Sequence, residues 1–104
     1  MLVNKSNYEI NDIISFKLVN GDEIVAKLVA ETSDLYLISK PTTVVPSGQG
    51  IALMQALFTA EIGRNLSLQK SHVMMHTNTA PDVMSYYIQL TTGIKPAGKS
   101  TLVM

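Results

Sequence analysis

Residues 13–38 read IISFKLVNGDEIVAKLVAETSDLYLI, and their spacing decides the fold. Ile14, Phe16 and Leu18 alternate with Ser15, Lys17 and Val19. Ile24, Ala26, Leu28 and Ala30 alternate with Val25, Lys27, Val29 and Glu31. Successive side chains on a strand point to opposite faces, so each apolar set shares one side. Asn20-Gly21 between the two runs is a strong hairpin signal, because both residues tolerate positive φ. Glu31-Thr32-Ser33-Asp34 is a polar break, and Leu35-Tyr36-Leu37-Ile38 resumes as a third strand.

Moving outward, Asn11-Asp12 marks a turn into the first strand, and the residues before it have room for one short helical turn. Downstream, Pro41 and Pro46 lack the N–H that a central ladder uses, so residues 41–46 read as an edge or a bulge. Ser47-Gly48-Gln49-Gly50 is a turn. No charged residue occurs from Pro41 to Ala60, which predicts burial in the core or against a neighbouring subunit. Ile51 to Ile62 fits a helix (Ile51, Met54, Phe58, Ile62) and a strand (Ile51, Leu53, Leu57) about equally. Leu66-Ser67-Leu68 and Val73-Met74-Met75 are two short apolar runs with Gln69-Lys70-Ser71-His72 between them. Thr79-Ala80-Pro81-Asp82 opens a predicted helix, with Pro suited to the first helical position and Asp82 to its positive end. Val83, Tyr86, Tyr87 and Leu90 form its apolar stripe, and Gly93 closes it.

Leu18-x-Asn20-Gly21, followed by a small residue at Ala26 and by Leu28, resembles the first half of the Sm motif. Ala26 stands where that family has Gly. With a second turn two residues longer, Asp34-Leu35-Tyr36 matches its Asp-x-aromatic step, and an even shift leaves the strand faces unchanged. Leu68-Gln69-Lys70-Ser71-His72-Val73 has the spacing of the second half but lacks its Arg and Gly. The chain is also similar to small Sm-like proteins encoded by T4-like marine phages (cyanophages). The features are Lys70-Ser71-His72-Val73, the acidic helix start and the Thr92-Gly93-Ile94 ending.

The resemblance implies a mainly β fold: an SH3-like, strongly bent, five-stranded small barrel, here with a C-terminal helix. It also requires a strand in the ambiguous stretch 51–62. Residues 1–94 would form the single domain, and 95–104 a flexible tail. It further implies a homo-oligomeric ring of roughly five to seven subunits, closed by heterologous contacts. Single-stranded RNA would bind where the loop after the second strand meets the loop before the last. An aromatic there stacks a base, a polar group reads its edge and a cation holds phosphate. These roles would fall to Tyr36, to Asp34 or Asn20, and to Lys70 or His72. The alternative is a non-enzymatic structural or adaptor oligomer that binds no RNA.

Composition bounds these readings. The chain has 104 residues, enough for one modest core. Hydrophobic content is 46% and charged content 15%, which favours an oligomer that buries more apolar area. Eight basic and eight acidic residues give no net charge, so a monomer lacks the basic field of a non-specific nucleic-acid binder. There is no cysteine, hence no disulfide or Cys-based zinc site. No apolar run approaches the roughly 20 residues that span a bilayer, and no signal peptide is apparent, so the expected location is the cytoplasm. No cofactor is implied. Residues 93–100, GIKPAGKS, match a phosphate-binding loop, but they follow a predicted helix and too few residues remain to open another. His72 and His76 on a strand would lie roughly 13 Å apart and could not share a metal ion. Six methionines read as core filler. No catalytic constellation is apparent, so an enzyme is not expected.

Overall fold

A computed structural model of the chain describes residues 8–48, 50–57, 59 and 63–92, with the backbone of 102–103. Its elements are β1 (Ile13–Leu18), β2 (Glu23–Glu31), β3 (Leu35–Ser47), β4 (Gly50–Gln55), β5 (Leu66–Gln69), β6 (Val73–Asn78), α1 (Pro81–Thr91) and β7 (Leu102–Val103). A 3-10 turn at Lys70–His72 joins β5 to β6. Every pairing is antiparallel, in the order β6-β1-β2-β3-β4-β7, with β5 also on β3. The fold is mainly β with one helix towards the C-terminus. The phosphate-loop pattern at 93–100, the helix stop at Gly93, Phe58, Ile62 and the start of the chain lie outside the described residues.

The register of the first hairpin explains the period-two pattern. Ile14 lies opposite Ala26 and Phe16 opposite Ile24. These four join Leu28, Tyr36 and Ile38 in one buried cluster. Burying each of its larger side chains contributes roughly 1.5–3 kcal/mol. Ala26 has no exposed surface, so the position suits a small residue, and a larger one would overpack it at about 1–3 kcal/mol. Ile13 and Val25 point the other way and meet Leu53 and Tyr87 in a second cluster. One face of the sheet therefore closes over the first cluster, and α1 covers the second.

Helix α1 begins as the sequence predicts, with Pro81 in its first turn and Asp82 beside it. Tyr87 is its one buried residue, and Val83, Met84, Tyr86 and Leu90 pack around the second cluster. The Tyr87 hydroxyl donates to the carbonyls of Ser39 at 3.2 Å and Lys40 at 2.7 Å. Lys40 Nζ in turn donates to Thr91 O at 3.0 Å, placing a cation at the negative end of the helix. These bonds gather at a bulge. Val25 pairs with Thr42 but Lys27 with Ser39, so β3 carries one extra residue there, and Lys40 takes φ 52°. Both possibilities for the proline-bearing stretch are realised: the bulge falls at Lys40-Pro41, and beyond Thr43, among the described residues, β3 pairs only with β4, so Pro46 sits on an edge.

Two expectations are corrected. The first hairpin is longer than Asn20-Gly21 implies. Leu18 N–H donates to Asp22 O at 2.8 Å and Gly21 N–H to Leu18 O at 2.9 Å, giving the three-residue loop Val19-Asn20-Gly21. Gly21 takes the positive φ, 98°, while Asn20 does not.

The sheet also does not close into a five-stranded barrel. β4 and β5 lie in succession along one edge of β3, opposite Thr42–Ser47 and Leu35–Ile38. The strand predicted for 51–62 thus runs from Gly50 and ends at Gln55. The chain leaves extended geometry at Lys70–His72 before β6 pairs β1. Among the described residues no ladder joins β6 to β4 or β5, so covalent chain rather than hydrogen bonding links those edges.

Of residues 95–104, only the backbone of Leu102–Val103 lies among the described residues. Their backbone pairs with Leu53 and Ala52.

Candidate functional site

Three connections converge at one end of the sheet. They are the β1–β2 loop with Asn20, the β2–β3 turn with Asp34, and the 3-10 turn with Lys70 and His72. Lys70 N–H donates to Asp34 O at 2.9 Å, and Val19 N–H donates to His72 O at 2.9 Å. The 3-10 turn is thus the piece that holds the other two loops together. Local chemistry shapes each of them. Thr32 Oγ1 accepts the N–H groups of Asp34 at 3.2 Å and Leu35 at 3.1 Å, which sets the β2–β3 turn. Asn20 Oδ1 accepts Asp22 N–H at 3.0 Å, and its amide donates to Asp22 Oδ2 at 3.2 Å.

The five residues singled out in the sequence divide into two groups. Asn20, Asp34 and His72 are exposed on these loops. Tyr36 and Lys70 lie beneath them in contact, with the ammonium 5.0 Å from the ring centroid. A cation over a tyrosine face contributes about 0.5–1 kcal/mol. Tyr36 is only 4% exposed, so it offers no open face to a nucleic-acid base in this arrangement. Its ring also packs on Phe16, centroids 5.0 Å apart. The sequence carries the signal for this burial: Tyr36 and Ile38 share one strand face, and Ile38 belongs to the core.

Sequence reasoning did not find Lys70's partner. Lys70 Nζ reaches Glu31 Oε2 at 2.6 Å, with side chains 29% and 21% exposed. Glu31 closes β2 opposite Tyr36, so the register brings them together, a relation invisible before the strands are paired.

His76, considered in the sequence only as a metal ligand, sits between two phenols. Tyr8 Oη lies 2.6 Å from its Nδ1 and Tyr36 Oη 3.4 Å from its Nε2. A neutral imidazole donates through one nitrogen and accepts through the other, so one phenol donates to it and the other accepts. Burial raises the Tyr36 phenol above the usual tyrosine value, and the Glu31 carboxylate adds to the shift. The Tyr8 phenol is raised by burial first, then by Tyr36, Glu31 and Asp12. Both hydroxyls therefore stay protonated at ordinary pH, and the His76 tautomer decides which of them donates to the ring.

Among the described residues, no three His, Cys, Asp or Glu side chains gather as a metal site. No helix among them is long and apolar enough to cross a membrane. An open groove of about 610 Å³ runs under α1, lined in part by Asp12, Lys27, Lys40, Tyr87 and Ile88. It contains none of the five predicted residues. A scan against protein-family models finds no match for the chain, and a search of curated proteins finds none either.

Proposed function

We propose that the chain is an Sm-like module that assembles with copies of itself into a closed ring. The ring, of roughly five to seven subunits, holds single-stranded RNA where the three connections converge. It works in the cytoplasm, that of the host if the chain is phage-encoded. The observation that carries the reading is the 2.9 Å hydrogen bond from Lys70 N–H to Asp34 O. The two segments that resemble the halves of the Sm motif, far apart in sequence, lie side by side. The β6 strand adds support for assembly. It pairs only with β1 among the described residues, and Met74 and Met75 on it are 59% and 60% exposed. An open apolar edge invites pairing with another chain.

On this reading Asn20 and Asp34 supply edge-reading polar groups, His72 an exposed flat ring, and Lys70 the phosphate contact. Repetition around the ring concentrates these groups although each chain is neutral. One observation favours the adaptor alternative: Glu31 neutralises Lys70, and Tyr36 is covered. Fluorescence anisotropy with short U-rich and A-rich RNAs at two salt concentrations separates the two. Binding that weakens with salt supports the RNA ring, because phosphate contacts release counterions. No binding to either RNA, with an intact oligomer in sedimentation, leaves the adaptor.

A further inference from the structure

We infer that Glu31 is the residue that sets the affinity and ionic selectivity of this site, by acting as a built-in competitor for phosphate at Lys70. The inference rests on the RNA reading above. Lys70 is the one cation of the predicted site, and its ammonium is not idle. It is held at 2.6 Å by Glu31 and lies over the Tyr36 ring. A carboxylate at that distance occupies the position a phosphate oxygen would take, since both accept charge-assisted hydrogen bonds from an ammonium. Lys70 keeps 29% of its side chain exposed, so a phosphate can reach it from solvent.

Tyr36 stays in the core through the exchange, 4% exposed, its ring packed on Phe16 with centroids 5.0 Å apart and its hydroxyl 3.4 Å from His76 Nε2. Only the ammonium changes partner, so the exchange bears on phosphate and not on stacking.

The test uses the full chain and a fluorescent U-rich RNA, with thermal melts to confirm folding. Glu31→Gln removes the competing charge and keeps the shape. An exposed or half-exposed ion pair is worth little, so binding should tighten about two- to fivefold. Glu31→Asp, which withdraws the carboxylate by one methylene, should tighten binding less and serves if the glutamine variant does not fold. Lys70→Met should abolish the gain, so that Glu31→Gln in its background changes nothing. Equal or weaker binding by folded Glu31→Gln overturns the inference while leaving the RNA reading intact. So does tightening that persists without Lys70, because a general charge effect would then explain it. If the parent binds no RNA but Glu31→Gln does, the competition is demonstrated directly. If neither binds, the RNA reading and the inference fall together.

Discussion

Tyr87 is the joint between helix and sheet, and two substitutions separate its two contributions. Its ring is 1% exposed and packs with Ile13, Val25 and Leu53. Its hydroxyl bridges the Ser39 and Lys40 carbonyls at the bulge. Tyr87→Phe keeps the ring and removes the donor, which should cost about 1–2 kcal/mol, the net worth of a hydrogen bond plus poorer satisfaction of two carbonyls. Tyr87→Ala also empties the ring's volume and should cost about 3–5 kcal/mol, a large share of the roughly 5–15 kcal/mol that holds a domain of this size.

The pH dependence gives an independent readout. Burial raises the Tyr87 phenol well above its ordinary value of 10.0, so the folded state keeps a proton that the unfolded state releases. The stabilisation is fully present below pH 10 and is lost as pH climbs from there towards the folded value, at about 1.4 kcal/mol per unit. Tyr87→Phe should flatten that alkaline decline. Urea unfolding followed by circular dichroism, at two protein concentrations to separate assembly from folding, measures all of this. A Tyr87→Phe variant within 0.3 kcal/mol of the parent, with an unchanged alkaline limb, would refute the bridging role. A Tyr87→Ala cost below about 1 kcal/mol would refute the packing of α1.

Other outcomes follow from the same geometry. Gly21→Ala should cost about 1 kcal/mol or more by urea unfolding, because φ 98° is unfavourable for any residue with a Cβ. Lys70→Ala should weaken RNA binding and flatten its salt dependence without dissociating the oligomer. Tyr36→Ala should destabilise the fold by about 3–5 kcal/mol, since Tyr36 is a core residue, and RNA binding is therefore measured only on its folded fraction. Met74→Lys with Met75→Lys should shift sedimentation of a micromolar sample towards monomer. An unchanged oligomer would place the interface elsewhere than the β6 edge.

The sequence made some of this legible and hid the rest for identifiable reasons. The β1–β2 hairpin is readable because one face of each strand is buried, which forces Ile14, Phe16, Ile24, Ala26 and Leu28 into phase. Helix α1 is readable because Pro81, Asp82 and the Val83–Leu90 stripe agree. The bulge is half readable: Pro41 announces an edge or a bulge, but its position is hidden, since Lys40 takes a left-handed conformation without a glycine to mark it. The meeting of Asp34 with Lys70 is expected only through the family resemblance, whereas local pattern is silent on any contact of such separation. The links of Glu31 to Lys70 and of Tyr8 to His76 are equally non-local, and neither follows from periodicity or turn chemistry.

The pairing of β1 with β6 has a consequence for how the chain comes into being. Ile14 finds its partner Asn78 only after most of the polypeptide has been made. At a synthesis rate of about 5–20 residues per second, the outer edge of β1 waits roughly 3–13 seconds for its partner strand. During that interval Phe16 and Ile14 can pair with β2 alone, and a lone hairpin is marginally stable in water. The nascent chain therefore passes through a stage in which this hairpin is half-covered, and several ribosomes on one message bring such hairpins close together. The timing of translation therefore bears on whether neighbouring copies meet as finished chains or as unfinished ones.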